Sequence, residues 1–177
     1  MRRLAASTIL IVAVAASFTY LRAGEPAWFQ RLRYPLHYEQ IVRGHAENYR
    51  LDPALLAAVI YQESKFEVDA KSEAGAIGLM QLQPDTAKGI AIRTGGSRFQ
   101  TSDLYNPEIN VRYGSWYLRH LLNKYDDETL ALAAYNAGQS NVDEWRAEGT
   151  GIQFAETRAY VDRVAELKEV YRSAYGL

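Results

Sequence analysis

From His37 onward, apolar residues return every three or four positions, and that spacing commits the chain to helices. Tyr38, Ile41, Val42, His45 and Tyr49 share one face of a first helix. Asp52-Pro53 then offers a side-chain oxygen to the free N–H groups of a second helix, with proline at the first helical position, where it has no hydrogen bond to lose. Leu55, Leu56, Val59 and Ile60 form the apolar stripe of that helix. Gly75 and Gly78 break the next stretch into a loop, and Pro84 to Arg93 reads as a short helix ended by Thr94-Gly95-Gly96. Asn106-Pro107 repeats the cap-and-proline signal for a helix running to about Tyr125, with Ile109, Tyr113, Trp116, Tyr117, His120 and Leu121 on its face. Asp127 opens another, carrying Leu130, Leu132, Ala133 and Ala134 to a stop at Gly138. A short piece around Val142 and Trp145 precedes Gly149-Thr150-Gly151. The last helix, from about Ala155, carries Tyr160, Val161, Val164, Leu167, Val170 and Tyr171. With no convincing strand and no internal repeat, the expected fold class is all-α, a single helical domain around one core.

The first 36 residues read differently. Met1-Arg2-Arg3 gives a positive start, Leu4 to Leu21 runs without a charge, and Arg22 closes the stretch. This is the pattern of a secretory signal or an uncleaved membrane anchor, assigned to residues 1–23. Gly24, Pro26 and Pro35 make residues 24–36 a linker, which leaves residues 37–177 as the folded, exported domain.

Composition narrows the chemistry. A net charge of −1 with no basic run argues against nucleic acid as a partner. The absence of cysteine removes disulfides, thiol nucleophiles and cysteine-based zinc sites. His37, His45 and His120 lack metal-ligand spacing, and Asp126-Asp127-Glu128 lacks the alternating oxygens and glycine of a calcium loop. His120, on an aromatic helical face, is expected in the core or at its boundary. No metal or cofactor is implied. Thirteen tyrosines suit a sugar-lined groove as well as a core.

One residue breaks the pattern. The stripe through Val59 and Ile60 predicts that position 63 also faces the interior, and position 63 is glutamate. A carboxyl on an apolar face is costly to ionise, so its pKa rises until it can donate a proton near neutral pH. That is what protonation of a glycosidic leaving oxygen requires. The spacing equally allows a helix-end glutamate that bends into solvent or pairs with Lys65 or Arg50.

Four segments occur in order around it: Glu63-Ser64; Gly75-Ala76-Ile77-Gly78-Leu79-Met80-Gln81; Ala134-Tyr135-Asn136-Ala137-Gly138; and Glu156-Thr157-Arg158-Ala159-Tyr160-Val161. Together they resemble the catalytic domain of soluble-type lytic transglycosylases, related in fold to goose-type lysozyme, over about residues 37–175. The resemblance implies a lysozyme-like helical domain with a substrate cleft, acting on peptidoglycan glycan strands. It implies cleavage of the bond from N-acetylmuramic acid to N-acetylglucosamine without net addition of water. Glu63 would be the single catalytic acid and base, and the C6 hydroxyl of the muramic acid would close a 1,6-anhydro ring. No second carboxylate is evidently placed, since Asp69, Glu73 and Asp85 fall in loop or cap contexts.

By the same resemblance, Ser64 would hydrogen-bond the Glu63 carboxyl or the substrate. Met80 would pack on a sugar face, and Gln81 would bond an N-acetyl group. Tyr135 and Asn136 would project into the cleft, and Tyr160 would bring its hydroxyl to Glu63. Glu156 and Arg158 read as an ion pair steadying the last helix. Gln139-Ser140 and Gln153-Phe154 depart from the family's more frequent residues and bear on substrate preference. A hydrolytic muramidase of the same fold and a catalytically silent wall-binding module remain as alternatives. The domain would face the periplasm or cell wall, touching the membrane only through an uncleaved N-terminal segment.

Overall fold

The structure is a computed structural model that describes residues 25–177, so the signal or anchor segment expected over residues 1–23 lies outside the described residues. The chain divides into two units at Pro35/Leu36. In the first, part of the expected linker is helical. Pro26 accepts the N–H groups of Phe29 and Gln30 on its carbonyl and starts α1, Ala27–Arg33. Arg33 pairs with Glu25 at 3.3 Å.

The second unit contains α2 (Glu39–Tyr49), α3 (Pro53–Ser64), α4 (Pro84–Thr94), a 3₁₀ turn (Thr101–Tyr105), α5 (Pro107–Tyr125), α6 (Glu128–Ala137), α7 (Gln139–Glu148) and α8 (Ala155–Tyr175). The starts read from the sequence carry real caps. Asp52 accepts the Ala54 N–H at 2.9 Å, Asn106 accepts those of Glu108 and Ile109 at 2.9 and 3.3 Å, and Asp127 accepts that of Leu130 at 2.8 Å. Each satisfies N–H groups that a helix cannot bond internally. The piece around Val142 and Trp145 extends to a ten-residue helix. Among the described residues there is no strand, only isolated bridges from Ile77 to Lys71 and Leu82, and no helix long and apolar enough to cross a membrane.

α3 lies at the centre, packed against α2 and α8. Its expected stripe is in fact a complete girdle, because every residue from Ala54 to Ile60 is buried. The alanines between the large residues let neighbouring helices approach from the other sides, and a helix apolar all round belongs inside. α3 ends on two successive non-glycine residues in the left-handed region, Lys65 (φ 54°) and Phe66 (φ 66°). Such residues cost about 1 kcal/mol each. Burial of the Phe66 ring against Tyr61, Tyr171 and the edge of His37 offsets that cost and turns the chain away after Glu63-Ser64.

The face of α5 differs from its expected stripe. Val111, Gly114, Ser115, Leu118, Leu121 and Tyr125 point inward beside Tyr113, whereas Ile109, Trp116 and Tyr117 are only partly covered. His120 is exposed and stacks on Trp116 at 5.4 Å, so it is not a core residue. Trp116 and Tyr117 sit at the rim because the centre of this face accepts another segment. A Cβ at Gly114 would collide with the Met80 side chain. Beside it, fully buried Asn110 accepts the Met80 N–H at 2.8 Å and donates to the carbonyls of Ile77 (2.9 Å) and Leu104 (2.8 Å). One amide thereby clamps the 75–82 loop onto α5.

Candidate active site

Three helix segments meet around one carboxyl. The last turn of α3 brings Glu63, the C-terminal turn of α6 brings Tyr135 and Asn136, and the first turns of α8 bring Glu156, Ala159 and Tyr160. Glu63 opens onto a cleft of about 570 Å³ bordered by Gln62, Asn136, Glu156, Ala159, Tyr160 and Arg163. Asn136 also borders a second cavity of about 250 Å³, walled by Gln81, Thr86, Tyr117 and Tyr135. Asn136 is the wall the two have in common.

The buried Tyr160 hydroxyl donates to Glu63 Oε1 at 2.6 Å. This bond favours the carboxylate and lowers the pKa, as does the nearby Lys65 ammonium. Desolvation outweighs both, and the Glu63 pKa is pushed up from 4.5 to about 7. Of the two readings the sequence left open, the desolvated acid is the one found, although the residue keeps part of its surface in water. Burial, and then the charge of Glu63, hold the Tyr160 and Tyr135 phenols well above their ordinary values, so both remain protonated donors.

The other expected site residues divide. Tyr135 donates to the Met80 carbonyl at 2.8 Å, its ring 5.6 Å from that of Tyr117, and Asn136 lies exposed where the two cavities meet. Asn136 Oδ1 accepts the Thr157 hydroxyl at 2.8 Å, which fixes the amide. Gln81, at φ 45°, borders the second cavity, but its Nε2 donates to the Ala70 and Gly78 carbonyls at 3.1 and 2.9 Å. Ser64 and Met80 are core residues. The Ser64 hydroxyl contacts the carbonyls of Leu79 (2.8 Å) and Ile60 (3.1 Å) rather than the Glu63 carboxyl. Met80 is fully buried in the hollow beside Gly114 and presents no face to a sugar. Both act one step back, by seating the loop that carries Gln81.

The expected Glu156–Arg158 ion pair is absent. Arg158 donates to the carbonyls of Ile152 and Gln153, at 2.5 and 2.9 Å, and Glu156 borders the cleft. A second carboxylate therefore stands in the groove, on a different element from the three considered in the sequence. Residues 156, 159, 160 and 163 fall at i, i+3, i+4 and i+7, a helical stripe that would have revealed Glu156 and Arg163. Asn110 offered no such signal, because its partners are 6 to 33 residues away.

The sequence profile of the transglycosylase SLT domain matches residues 40–156. The chain is 31% identical over 159 residues to the soluble lytic murein transglycosylase of Escherichia coli K12, covering 81% of this chain and 24% of that protein. It superposes on the lytic transglycosylase Slt of Pseudomonas aeruginosa, solved as an inactive glutamate-to-glutamine mutant, with a TM-score of 0.76 and 33% identity, covering 82% of this chain and 25% of that one. The 70 kDa soluble lytic transglycosylase of Escherichia coli gives a TM-score of 0.77 at 29% identity, covering 83% and 26%. The chain thus spans about a quarter of the length of these relatives.

Proposed function

Because the chain belongs to the transglycosylase SLT domain family, we propose that it is a peptidoglycan lytic transglycosylase with Glu63 as its sole proton-transfer group. The observation that carries this reading is the Glu63 carboxyl, pushed up to about 7 by burial and held by Tyr160 at 2.6 Å on the floor of an open groove.

A group with that pKa serves in both directions near neutral pH. Protonated, Glu63 donates to the glycosidic oxygen between N-acetylmuramic acid and N-acetylglucosamine as the C1–O bond breaks. The resulting carboxylate, stabilised by the Tyr160 hydroxyl, takes the proton of the muramic acid C6 hydroxyl as that oxygen attacks C1. The bond formed is O6–C1, the bond broken is C1–O4, and the proton gained equals the proton lost. No water is consumed, and Glu63 returns to its starting state. Tyr160, kept protonated, holds the Glu63 carboxylate between the two proton transfers, while the Tyr135 hydroxyl donates to the Met80 carbonyl and steadies the adjoining loop. Asn136 and Gln81 border the groove where the N-acetyl groups lie. The inactive glutamate-to-glutamine mutant of the Pseudomonas relative fits an essential acid in this fold. Residues 1–23 carry the domain across the inner membrane, as a signal or an anchor, so that it meets the wall.

The test is to incubate the full chain and its Glu63→Gln variant with purified peptidoglycan and weigh the released muropeptides. Products one water lighter than those of a hydrolytic muramidase, absent with the variant, are expected. Hydrated products would replace the lyase by a hydrolase in which water attacks C1. No release from a wall that a muramidase digests would leave a binding module.

A further inference from the structure

α4 has a cavity at each end. Thr86, in its first turn, walls the smaller cavity beside Asn136, and Gly95, the residue that ends it, opens onto a separate pocket of about 390 Å³. α5 repeats the relation, since Tyr117 walls the first of these and Tyr113, one turn earlier, walls the second. The residues from Thr86 to Gly95, at 1.5 Å each, put about 13 Å between the two. That is the reach of about four extended amino acids.

The walls of the second pocket combine charge with an apolar side. Phe99, Ile109 and Tyr113 supply the apolar part, with the Phe99 and Tyr113 rings 5.4 Å apart. Arg98 and Arg112, both exposed, supply two guanidinium groups. Among the described residues neither meets a carboxylate. Arg112 lies over the Tyr113 ring, 5.2 Å from its centre, and Glu108, one turn before it on α5, is engaged by His45 Nε2 at 2.8 Å. The pocket's own acid, Asp103, is committed to the 3₁₀ turn, where its Oδ2 accepts the Gln100 N–H at 2.8 Å. A guanidinium takes a carboxylate through two parallel hydrogen bonds, so two such forks beside an apolar wall fit a chain that carries carboxylates and small apolar side chains.

A glycan strand carries such a chain. The stem on the lactyl group of each muramic acid is a short peptide of alanine and acidic residues, with free carboxylates along it and at its end. We propose that this pocket is a stem-peptide site, in which Arg98 and Arg112 bind the carboxylates of a stem whose muramic acid sits in the cavity beside Asn136. This rests on the peptidoglycan reading above, to which it adds a chemical criterion for which strands are cut.

The experiment compares kcat/KM of the full chain on three soluble substrates. These are stem-bearing strands, the same strands with their stem carboxylates chemically amidated, and strands stripped of their stems. Charge-assisted contacts should make the first about tenfold better than the other two. In Arg98→Gln/Arg112→Gln that preference should fall to near one, while stripped strands are cut as fast as by the wild type, which also shows that the variant is folded. Arg98→Lys/Arg112→Lys, which keeps the charges but not the forks, should retain part of it. A wild type without the preference, or a double Gln variant that slows all three strands equally or none of them, overturns the proposal. If the chain cuts no strand at all, the lytic reading fails, and the pocket is read instead by titrating a synthetic stem peptide into the full chain. Binding that weakens about tenfold in the double Gln variant supports the site, and binding that is absent or unchanged overturns it.

Discussion

Replacing Glu63 by glutamine tests the central physical claim without any substrate. The carboxyl has an ordinary pKa of 4.5 and a folded-state pKa of about 7. Between these values the native chain holds a proton that the unfolded chain has released, so native stability falls as pH rises through the window. The 2.5-unit interval corresponds to about 3 kcal/mol, at 1.36 kcal/mol per unit. This is a ceiling, since Glu63 keeps some contact with water. Glutamine has nearly the same shape, still accepts from Tyr160 through its carbonyl, and carries no charge to desolvate. The variant should match the wild type at pH 4.5 and exceed it at pH 8 by up to about 3 kcal/mol. Urea denaturation at the two pH values measures this, and all other titrating groups cancel in the comparison. An equal difference at both pH values, or a variant less stable at pH 8, would refute the idea that desolvation sets this carboxyl's behaviour.

Further expectations concern the surroundings. Tyr160→Phe removes a donor that favours the carboxylate, so the Glu63 pKa should climb beyond 7 and the alkaline fall of kcat/KM should move to higher pH; a profile that stays put or moves down would contradict the bond's role. Asn110→Ala strips three buried hydrogen bonds from the clamp and should cost about 3 kcal/mol in urea denaturation, with loss below 1 kcal/mol counting against the clamp. Gly78→Ala should destabilise by more than about 2 kcal/mol, because its Cβ would strike the Asn110 amide and the Leu104 carbonyl at φ 79°. Gly75→Ala, at φ 85° with open space around it, should cost only the left-handed strain of about 1 kcal/mol, and equal losses at the two glycines would remove the distinction.

Several features of the candidate site are readable residue by residue. Glu63 betrayed itself by standing where the α3 pattern calls for an apolar side chain, and Tyr160 by its place in the last motif and its period on α8. Ser64 and Met80 were placed in the groove by their motifs, yet both turn inward. The left-handed turn at Lys65–Phe66 and the hollow at Gly114 decide where they point, and neither is visible from adjacent residues. The last motif reads Glu156 and Arg158 as an ion pair that steadies α8. At i and i+2 on a helix the two side chains diverge, and the carboxylate faces the groove instead.

Sequence alone determined where helices begin and that their cores are apolar. A cap, a proline and a 3.6-residue period act within a few residues and need nothing distant to take effect. The burial of Glu63 was also foreshadowed, because a buried helix carries its last turn in with it. Tertiary structure decided the rest. The Asn110 clamp, the Tyr160 contact across 97 residues and the union of α3, α6 and α8 around one carboxyl depend on which helices pack together. The raised pKa of Glu63 has the same origin: desolvation is the sum of everything that surrounds a group, and only the assembled fold supplies that surrounding.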